Sequence, residues 1–372
     1  MTELVLPMNP VQRYQIDLQR NGFQHDDAQR DAVRALNDVH DALIERFRKA
    51  QTVRGPARLR EIKRQKTPAQ GLYLWGGVGR GKTYLMDLFY ESLPFRRKLR
   101  IHFHRFMQHV HKELTALQGI KDPLTAVAER IHKDAVVICF DEFFVTDIGD
   151  AMILGGLFER LFERGVTLVA TSNIVPDRLY ENGLQRQRFL PAIAMVKQYC
   201  DVLNVDSGVD YRLRVLEQAE LYHSPLDAQA EASLRRSFDE LSFGLSVLDG
   251  ALDINDRSVE VIARTDDVLW CRFAELCEKP RSAHDYIEIA REYHTVLLAD
   301  VPDMGAHNDD AARRFINLVD EFYDRGVKLI VSAASPILEL YDQGRLNFEF
   351  QRTQSRLQEM QSREYLAREH RP

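Results

Sequence analysis

The sequence predicts an α/β fold in which a parallel sheet is covered by helices on both faces. Short apolar runs typical of buried strands alternate with amphipathic helical stretches. A glycine-rich loop, Gly76–Thr83, lies between the first of these runs and a helical stretch. A later apolar run, Val136–Phe140, ends in two adjacent carboxylates, Asp141 and Glu142. Together these three observations indicate the sheet of a P-loop nucleotide-binding fold.

The chain begins with about 25 polar residues for which no regular structure is predicted. A helix then opens at Asp26-Asp27, because apolar residues from Ala32 to Phe47 recur along one face. A basic stretch follows, Arg46–Lys66, which predicts a solvated helical surface or, less simply, a patch for phosphates or an acidic partner. Five strands are predicted next: Gly71–Trp75, Leu99–Phe103, Val136–Phe140, Val166–Ala170 and Cys200–Val205.

The pattern changes after Arg214. We expect a strand at Val215–His223, a helix at Leu226–Leu241 and a linker at Gly244–Ser258. A hairpin of Val259–Arg264 and Val268–Phe273 precedes a second α/β pattern with strands at Thr295–Asp300 and Val327–Ser332. The predicted domains are therefore a helical segment, a P-loop core and a smaller C-terminal α/β region without a P-loop, at residues 1–66, 67–214 and 215–372.

Composition excludes several classes of protein. The 372 residues leave room for two or three domains of about 150 residues each. With 50 basic and 56 acidic residues the net charge is −6, which argues against a general nucleic-acid coat. The four cysteines form no CxxC pair, no apolar run reaches the roughly 18 residues of a membrane span, and the start does not resemble a leader peptide. We therefore expect a reduced, cytoplasmic globular protein.

The glycine-rich loop predicts a site for a nucleotide triphosphate. Glycines allow successive amides to converge on phosphate oxygens, and the helix that follows adds its positive end. Lys82 can reach the β- and γ-phosphates, and the Thr83 hydroxyl can ligate Mg²⁺. The residues predicted to bind ATP here are Gly76, Gly77, Val78, Gly79, Arg80, Gly81, Lys82 and Thr83.

Polar residues after two further strands complete the predicted site. At the carboxyl end of its strand, Asp141 would face Mg²⁺, and Glu142 would orient or deprotonate the attacking water. Asn173 can contact that water or the γ-phosphate, although it could simply start the turn before Pro176. Two arginines further on, Arg186 and Arg188, could act on the γ-phosphate of a neighbouring subunit or be ordinary surface residues.

In these motifs the chain resembles the Afg-type family of AAA+ ATPases, in particular its bacterial cell-division branch. The similarity extends from about Asp26 to the C-terminus, and Phe144 departs from the glutamine of mitochondrial relatives. Its specific segments are His102–Met107, Phe140–Phe143, Asn182–Arg186, and Arg352-Thr353 with Ser355–Leu357.

The resemblance implies an Mg²⁺-dependent ATPase that acts on a protein partner and regulates or remodels the FtsZ division ring. It also implies a homo-oligomer, peripheral association with the inner membrane and recruitment to the division site, with no stable nucleic-acid complex. Position by position, Arg186 is the first choice for the arginine finger and Arg188 the second. Gln29, ahead of the P-loop, would contact adenine, although helix capping by Asp26 or Asp27 explains that segment equally well.

Two other functions fit the sequence. A nucleic-acid-associated P-loop ATPase, such as a helicase loader, is suggested by the basic stretch Arg46–Lys66 and by the group Arg96, Arg97, Lys98 and Arg100. A nucleotide-gated scaffold with vestigial hydrolysis is the other alternative. Four histidines between residues 102 and 111 fall on a predicted strand and a predicted helix, which does not favour a metal site. Phe106 and Met107 could form a pore loop, although core packing explains them more simply.

The two α/β regions also resemble each other. Leu157–Gly183 aligns without gaps with Leu318–Gly344, which is consistent with common packing rules or with a decayed duplication. The predicted strand that precedes each of these stretches is followed by or ends in an aspartate. If these two aspartates are matched, Asp300 corresponds to Asp141. The second copy has no glycine loop, so we do not expect it to hydrolyse nucleotide.

Overall fold

The structure is a computed structural model that describes residues 7–19, 26–52, 66–77, 79–206, 208, 211–242, 250–255 and 257–371. The chain divides into two compact units, Met1–Val209 and Asp210–Pro372. None of the helices within the described ranges combines the length and apolar character that a membrane span requires.

The first unit is built on a five-stranded parallel sheet in the order β2-β3-β4-β1-β5. Its strands are β1 (Gly71–Trp75), β2 (Lys98–His102), β3 (Val137–Asp141), β4 (Thr167–Ser172) and β5 (Cys200–Asn204). The flanking helices are α1 (Pro10–Asp17), α2 (Asp27–Thr52), α3 (Lys82–Ser92), α4 (Phe103–Ala116), α5 (Pro123–Asp134), α6 (Ile148–Glu163) and α7 (Leu190–Tyr199). All five predicted strands are therefore present, and the α/β fold class with its P-loop sheet is confirmed.

Central strands of this sheet are buried because helices cover them. Every residue of β3 and β4 is buried, as their continuous apolar sequences predict. Residues of β2, at the sheet edge, are only partly buried, in keeping with their alternating sequence. Because all strands are parallel, their carboxyl ends meet at one edge, which is where ligands bind in such sheets.

The prediction that residues 1–25 lack regular structure is wrong for part of this segment. Pro10–Asp17 forms a helix with Asn9 as its N-cap. The Asn9 side chain accepts from the Gln12 amide at 2.8 Å, and the Gln12 side chain accepts from the Asn9 amide at 3.1 Å. This capping box, with proline in the first turn, is a helix-start signal that the polar composition obscured.

The second unit contains a sheet in the order β6-β13-β11-β10-β9, parallel except for β9. Its strands are β6 (Tyr222–His223), β7 (Leu252–Ile254), β8 (Arg257–Val259), β9 (Ala263–Arg264), β10 (Val268–Arg272), β11 (Thr295–Val301), β12 (Met304–Gly305), β13 (Lys328–Ala333) and β14 (Tyr341–Asp342). Its helices are α8 (Tyr211–Gln218), α9 (Ala230–Leu241), α10 (Ala283–Glu292), α11 (Asp309–Arg325), α12 (Asn347–Glu359) and α13 (Arg363–Leu366).

Two predictions for this unit are wrong in part. Of the segment predicted as a strand at 215–223, residues 215–218 lie on α8, and only the last two residues join the sheet. Leu216 is buried and Leu213 packs beside it, a three-residue spacing that places both on one helical face. The predicted linker at 244–258 contains strands β7 and β8, which pair as a hairpin, while residues 243–249 lie outside the described residues.

The two sheets share their topology. Reading across each sheet, β1-β4-β3-β2 of the first unit corresponds to β6-β13-β11-β10 of the second, with the same chain order and parallel direction. The gapless sequence alignment also holds in detail, since the 3₁₀ turns Pro176–Arg178 and Ile337–Glu339 fall at aligned positions. These agreements support the interpretation of a decayed duplication.

Strand register corrects one part of that alignment. Val137 pairs with Thr167 and Thr295 pairs with Lys328, where Thr167 and Lys328 are aligned residues. Val137 therefore corresponds to Thr295. Counting the same number of residues along both strands matches Asp141 with Ala299 and Glu142 with Asp300. The match of Asp300 with Asp141 is therefore wrong by one residue, and the second unit has no counterpart of the Asp141 carboxylate.

Candidate active site

The glycine-rich loop lies at the carboxyl edge of the first sheet, where residues 76–81 connect β1 to α3. Gly79 and Gly81 have φ angles of 72° and 77°, a left-handed region that favours glycine. The Gly76 amide donates to the Ser172 carbonyl oxygen at 3.2 Å and so fastens the loop to the end of β4. Val78, also predicted to bind nucleotide, lies outside the described residues.

Lys82 and Thr83 are the first two residues of α3. The Lys82 ammonium donates to the carbonyl oxygens of Gly76 and Gly77 at 2.8 and 2.6 Å, so its charge lies over the loop. The positive end of a helix and an ammonium group therefore converge on the same loop, an arrangement that suits an anion.

Gln29 supports this loop from α2. Its buried side-chain amide donates to the Arg80 carbonyl oxygen at 3.3 Å, and a Cβ on Gly81 would lie 2.7 Å from the same nitrogen. Contact with adenine stays a prediction for Gln29. Asp26 caps α2, since its carboxylate accepts from the amides of Ala28 and Gln29 at 2.8 and 3.2 Å.

The two carboxylates lie at the end of β3, which is separated from β1 only by β4. Asp141 is the last residue of the strand and is 4% exposed. Glu142 has a left-handed φ of 52°, and its amide donates to Thr171 Oγ1 at 3.2 Å. A left-handed conformation costs a glutamate about 1 kcal/mol or more and persists where the surroundings fix the backbone. The backbone of Glu142 is therefore held in place by β4.

Asn173 follows β4 directly and is exposed at the same edge of the sheet. Because β4 lies between β3 and β1, Asn173 follows the strand between the acids and the glycine loop. Its predicted contact with water or phosphate remains a prediction.

The two candidate arginines form a separate segment. Both lie in the 3₁₀ turn Arg186–Arg188. Arg186 donates to the Asp177 carbonyl oxygen at 2.5 Å, and Arg188 donates to Gln185 Oε1 at 3.0 Å. Across the described ranges, neither guanidinium has a hydrogen bond to the P-loop, so a role on a neighbouring subunit remains a prediction.

Two charged residues at this site were missed as site residues. Arg100 on β2, assigned to a basic surface group, is instead turned inward against Asp141 and Asp87. Asp206, which follows β5, forms an ion pair with Arg80, with Oδ1 2.7 Å from Nε, and so braces the loop from the far side of β1. The pKa of Asp206 lies below its ordinary value. The largest cause is a hydrogen bond from the Gly208 amide, and the positive charge of the nearby Arg80 guanidinium lowers the pKa further. The available signal for Asp206 was its place directly after the predicted strand Cys200–Val205, since acids after parallel strands lie at the ligand-binding edge of the sheet.

Phe106 and Met107 belong to the core rather than to an exposed pore loop. Each is 1% exposed and packs within the hydrophobic cluster of the first unit. His104 lies on α4, not on the predicted strand. The simpler core interpretation is confirmed for both Phe106 and Met107.

In the second unit, a carboxylate lies where the first unit has its glycine-rich loop. Residues 224–229 connect β6 to α9, the position that corresponds to the loop between β1 and α3. Asp227 Oδ1 accepts from the amides of Gln229 and Ala230 at 2.8 and 3.1 Å, at the start of α9. A resident anion at this helix end disfavours a phosphate there, in line with the expectation that this unit does not hydrolyse nucleotide.

We expect His223→Asn to destabilise the chain more at pH 5.5 than at pH 8.5. His223 contacts Glu220 through Nδ1 at 2.9 Å and Asp227 through Nε2 at 3.1 Å, and these hydrogen bonds raise its pKa. The stabilisation is complete below the unfolded-state pKa of about 6.5 and is lost as pH rises through the raised folded value. Both acids have lowered pKa values, so their contribution disappears only on strong acidification.

Urea denaturation of the full chain at the two pH values measures this difference. Exposed His284→Asn is the control and should behave like the wild type at both pH values. An equal loss for His223→Asn at pH 5.5 and 8.5 would show that the imidazole acts by packing alone.

The chain matches the profile of the AFG1-like ATPase family over residues 8–369. It is 54% identical over 369 residues to the protein "Cell division protein ZapE" of Escherichia coli K12, with 98% of each chain covered. These findings confirm the family predicted from the motifs.

The chain is also similar to more distant proteins. The chain is 40% identical over 344 residues to "Lactation elevated protein 1 homolog B" of Danio rerio, covering 80% of this chain and 68% of that protein. A solved structure of DnaI is similar with 17% identity and a TM-score of 0.31, over 52% of this chain and 91% of that one.

Proposed function

The chain belongs to the AFG1-like ATPase family and is an ATPase, and on that premise we propose that it hydrolyses Mg²⁺-bound ATP in its first unit to act on a protein of the division ring. One observation above all supports this site. The P-loop, the two acids at the end of β3 and Asn173 after β4 all lie at the carboxyl edge of one parallel sheet. Each residue type matches a step that ATP hydrolysis requires.

The residues at this edge fit a magnesium ion. Mg²⁺ prefers oxygen ligands and is commonly held by one or two protein groups together with phosphate oxygens. Thr83, in the first turn of α3, offers a hydroxyl, and Asp141, at the tip of β3, offers a carboxylate. When bound, the ion would neutralise charge on the phosphates. The protein's own contribution is to hold these two oxygen donors on a rigid helix and a rigid strand.

Glu142 is the proposed general base. It is adjacent to the metal-binding acid but lies after the end of the strand, with its backbone fixed through Thr171. A carboxylate held beside the γ-phosphate position can orient a water molecule and accept its proton. Lys82 and the loop amides would hold the phosphates, and Asn173 would contact the water or the γ-phosphate.

We expect Glu142→Gln to bind ATP with wild-type affinity and to hydrolyse it about 10²-fold more slowly, because glutamine keeps the shape but cannot accept the proton. Phosphate release and titration with a fluorescent ATP analogue measure the two properties separately. Glu159→Gln, an exposed acid on α6 in the same unit, is the matched control. Loss of binding in Glu142→Gln would contradict the assignment of a general base.

The proposed partner is FtsZ or another protein of the division ring. The support is the similarity to the ZapE protein over almost the entire chain. The same reasoning leads us to propose a cytoplasmic homo-oligomer that is recruited to the division site and associates peripherally with the inner membrane. In this assembly Arg186, with Arg188 as the second choice, would reach the γ-phosphate of the neighbouring subunit.

Affinity capture with Glu142→Gln tests the partner. Slow hydrolysis should hold the chain in its ATP state, and a ring protein should co-purify with ATP but not with Lys82→Ala. Retention of nucleic acid in place of a ring protein would argue for the second candidate below.

One observation favours that second candidate, a nucleic-acid-associated ATPase. A cavity of about 990 Å³ in the first unit is lined by cations from both predicted basic groups, Arg46 and Lys66 from one and Arg96 and Arg97 from the other. Lys98 and Arg100 do not belong to this surface, since Lys98 donates to backbone carbonyls and Arg100 pairs with buried acids. Residues 53–65 of the basic stretch lie outside the described residues. Salt-sensitive binding of single-stranded DNA that stimulates ATP hydrolysis would support this candidate.

A further inference from the structure

We propose that Arg100 is a positioning residue that fixes the Asp141 carboxylate relative to the P-loop helix and thereby sets the affinity of the ATP complex for its metal. This inference rests on the proposed function, since it takes Asp141 and Thr83 as the protein's metal ligands. It assigns to Arg100 a role that is exerted through Asp141.

The Arg100 guanidinium bridges two buried acids that belong to different elements. Its Nε donates to Asp141 Oδ2 at 2.7 Å, and Nη2 lies 3.5 Å from Oδ1 of the same carboxylate. Its Nη1 pairs with Asp87 Oδ1. The side chains of Arg100, Asp87 and Asp141 are 11%, 3% and 6% exposed. Little water screens these ion pairs, so their geometry is held firmly.

Asp87 connects this bridge to the P-loop helix. It lies on α3 four residues after Thr83, a spacing that places the two side chains on the same face of the helix. The contacts Asp87–Arg100 and Arg100–Asp141 therefore link the helix that carries one proposed metal ligand to the strand that carries the other. The separation of the two ligands is set by this bridge as well as by the backbone.

An arginine suits this bridge better than a lysine would. The planar guanidinium presents donors in a fixed fork and can hold two carboxylates at once, whereas an ammonium is a single point charge on a flexible stem. The two oxygens of Asp141 are also held unequally, one at 2.7 Å and the other at 3.5 Å. The more weakly held Oδ1 is the oxygen that can turn to a metal while Oδ2 keeps the carboxylate in place.

The second unit supports this interpretation independently. His102 pairs with Asp141 where β2 meets β3 in the first unit, and Arg272 pairs with Ala299 where β10 meets β11 in the second. His102 therefore corresponds to Arg272. Two residues earlier on the same strands, Arg100 corresponds to Trp270, which is buried. In the unit without a phosphate-binding loop, the arginine and the acid that it holds are therefore both replaced by uncharged residues. This joint replacement is expected if the arginine serves the metal ligand rather than the stability of the sheet.

Arg100→Lys tests the role, with metal binding as the readout. We expect the Mn²⁺ concentration for half-saturation of the ATP complex, followed by electron paramagnetic resonance, to rise about tenfold, as is typical when a ligand-orienting group is lost. Affinity for a fluorescent ATP analogue in EDTA should stay at the wild-type value, because the loop and Lys82 are unchanged.

Asp87→Asn supplies a second variant and makes the test independent of how well Arg100→Lys folds. It should weaken metal binding in the same direction. The double variant should be no worse than the more affected single variant, because both changes break the same bridge. Arg212→Lys is the matched control, since it alters another buried ion pair, with Asp267 at 2.7 Å, in the second unit. It should leave metal binding unchanged.

Wild-type metal affinity in folded Arg100→Lys, or additive losses in the double variant, would overturn the inference while leaving the proposed function intact. A wild-type chain whose ATP binding does not respond to Mn²⁺ or Mg²⁺ at all would instead contradict the proposed metal-dependent function itself.

Discussion

Replacing Lys82 by alanine is expected to abolish ATP binding. The ammonium is held over the loop by two carbonyl oxygens, so it is already in place for the β- and γ-phosphates. Charge-assisted contacts contribute about 1.5–3 kcal/mol each, and the loss of two such contacts lowers affinity by about 10²-fold or more. Titration with a fluorescent ATP analogue should show no saturation over the range in which the wild type saturates.

Lys133→Ala is the control for this change, because Lys133 is an exposed lysine of the same unit. It should bind ATP like the wild type. Near-normal ATP affinity in Lys82→Ala would mean that the nucleotide binds elsewhere, and the assignment of the loop would then be wrong.

Arg186→Ala is expected to retain ATP binding and lose turnover by about 10³-fold, the lower end of what an arginine finger contributes. Arg186 donates to the Asp177 carbonyl oxygen in the preceding 3₁₀ turn and not to the described residues of the P-loop, so its removal should not disturb the P-loop of the same chain. Steady-state phosphate release at saturating ATP measures the effect. Arg178→Ala, an exposed arginine of the neighbouring 3₁₀ turn, is the matched control and should remain active.

A mixing experiment tests whether this arginine acts between subunits. Lys82→Ala and Arg186→Ala should each be inactive alone, yet their mixture should regain part of the wild-type rate. In the mixture, the intact loop of one chain can receive the arginine of the other. A mixture that stays inactive, although the two variants co-assemble, would place the action of Arg186 within one chain.

The sequence identified the elements that carry the site because their signals are local. A strand, a glycine loop and a helix follow one another in residues 71–92, and the acids follow an apolar strand directly. Local patterns failed where two structures share one pattern. The stretch Val215–His223 predicts a strand, but its first four residues lie on α8, because a short stretch with few apolar residues does not distinguish the two states.

The contacts between distant segments could not be predicted in the same way. In the sequence, Arg100 is one of four basic residues close to one another. Only the pairing of β2 with β3 brings it to Asp141. The match of Asp300 with Glu142 likewise depends on strand register. Asp300 has a φ of 63°, and its amide donates to Ser332 Oγ at 3.1 Å, just as the Glu142 amide donates to the aligned Thr171. No pattern in the sequence shows that register.

The central claim is that the first unit binds ATP and that the second unit, which has Asp227 at the corresponding helix end, does not. The stoichiometry of ATP binding tests this claim most directly. Equilibrium dialysis of Glu142→Gln with ATP and Mg²⁺ should give one nucleotide per chain, and Lys82→Ala should reduce it to none. Two nucleotides per chain, or one that remains bound after Lys82→Ala, would contradict the account.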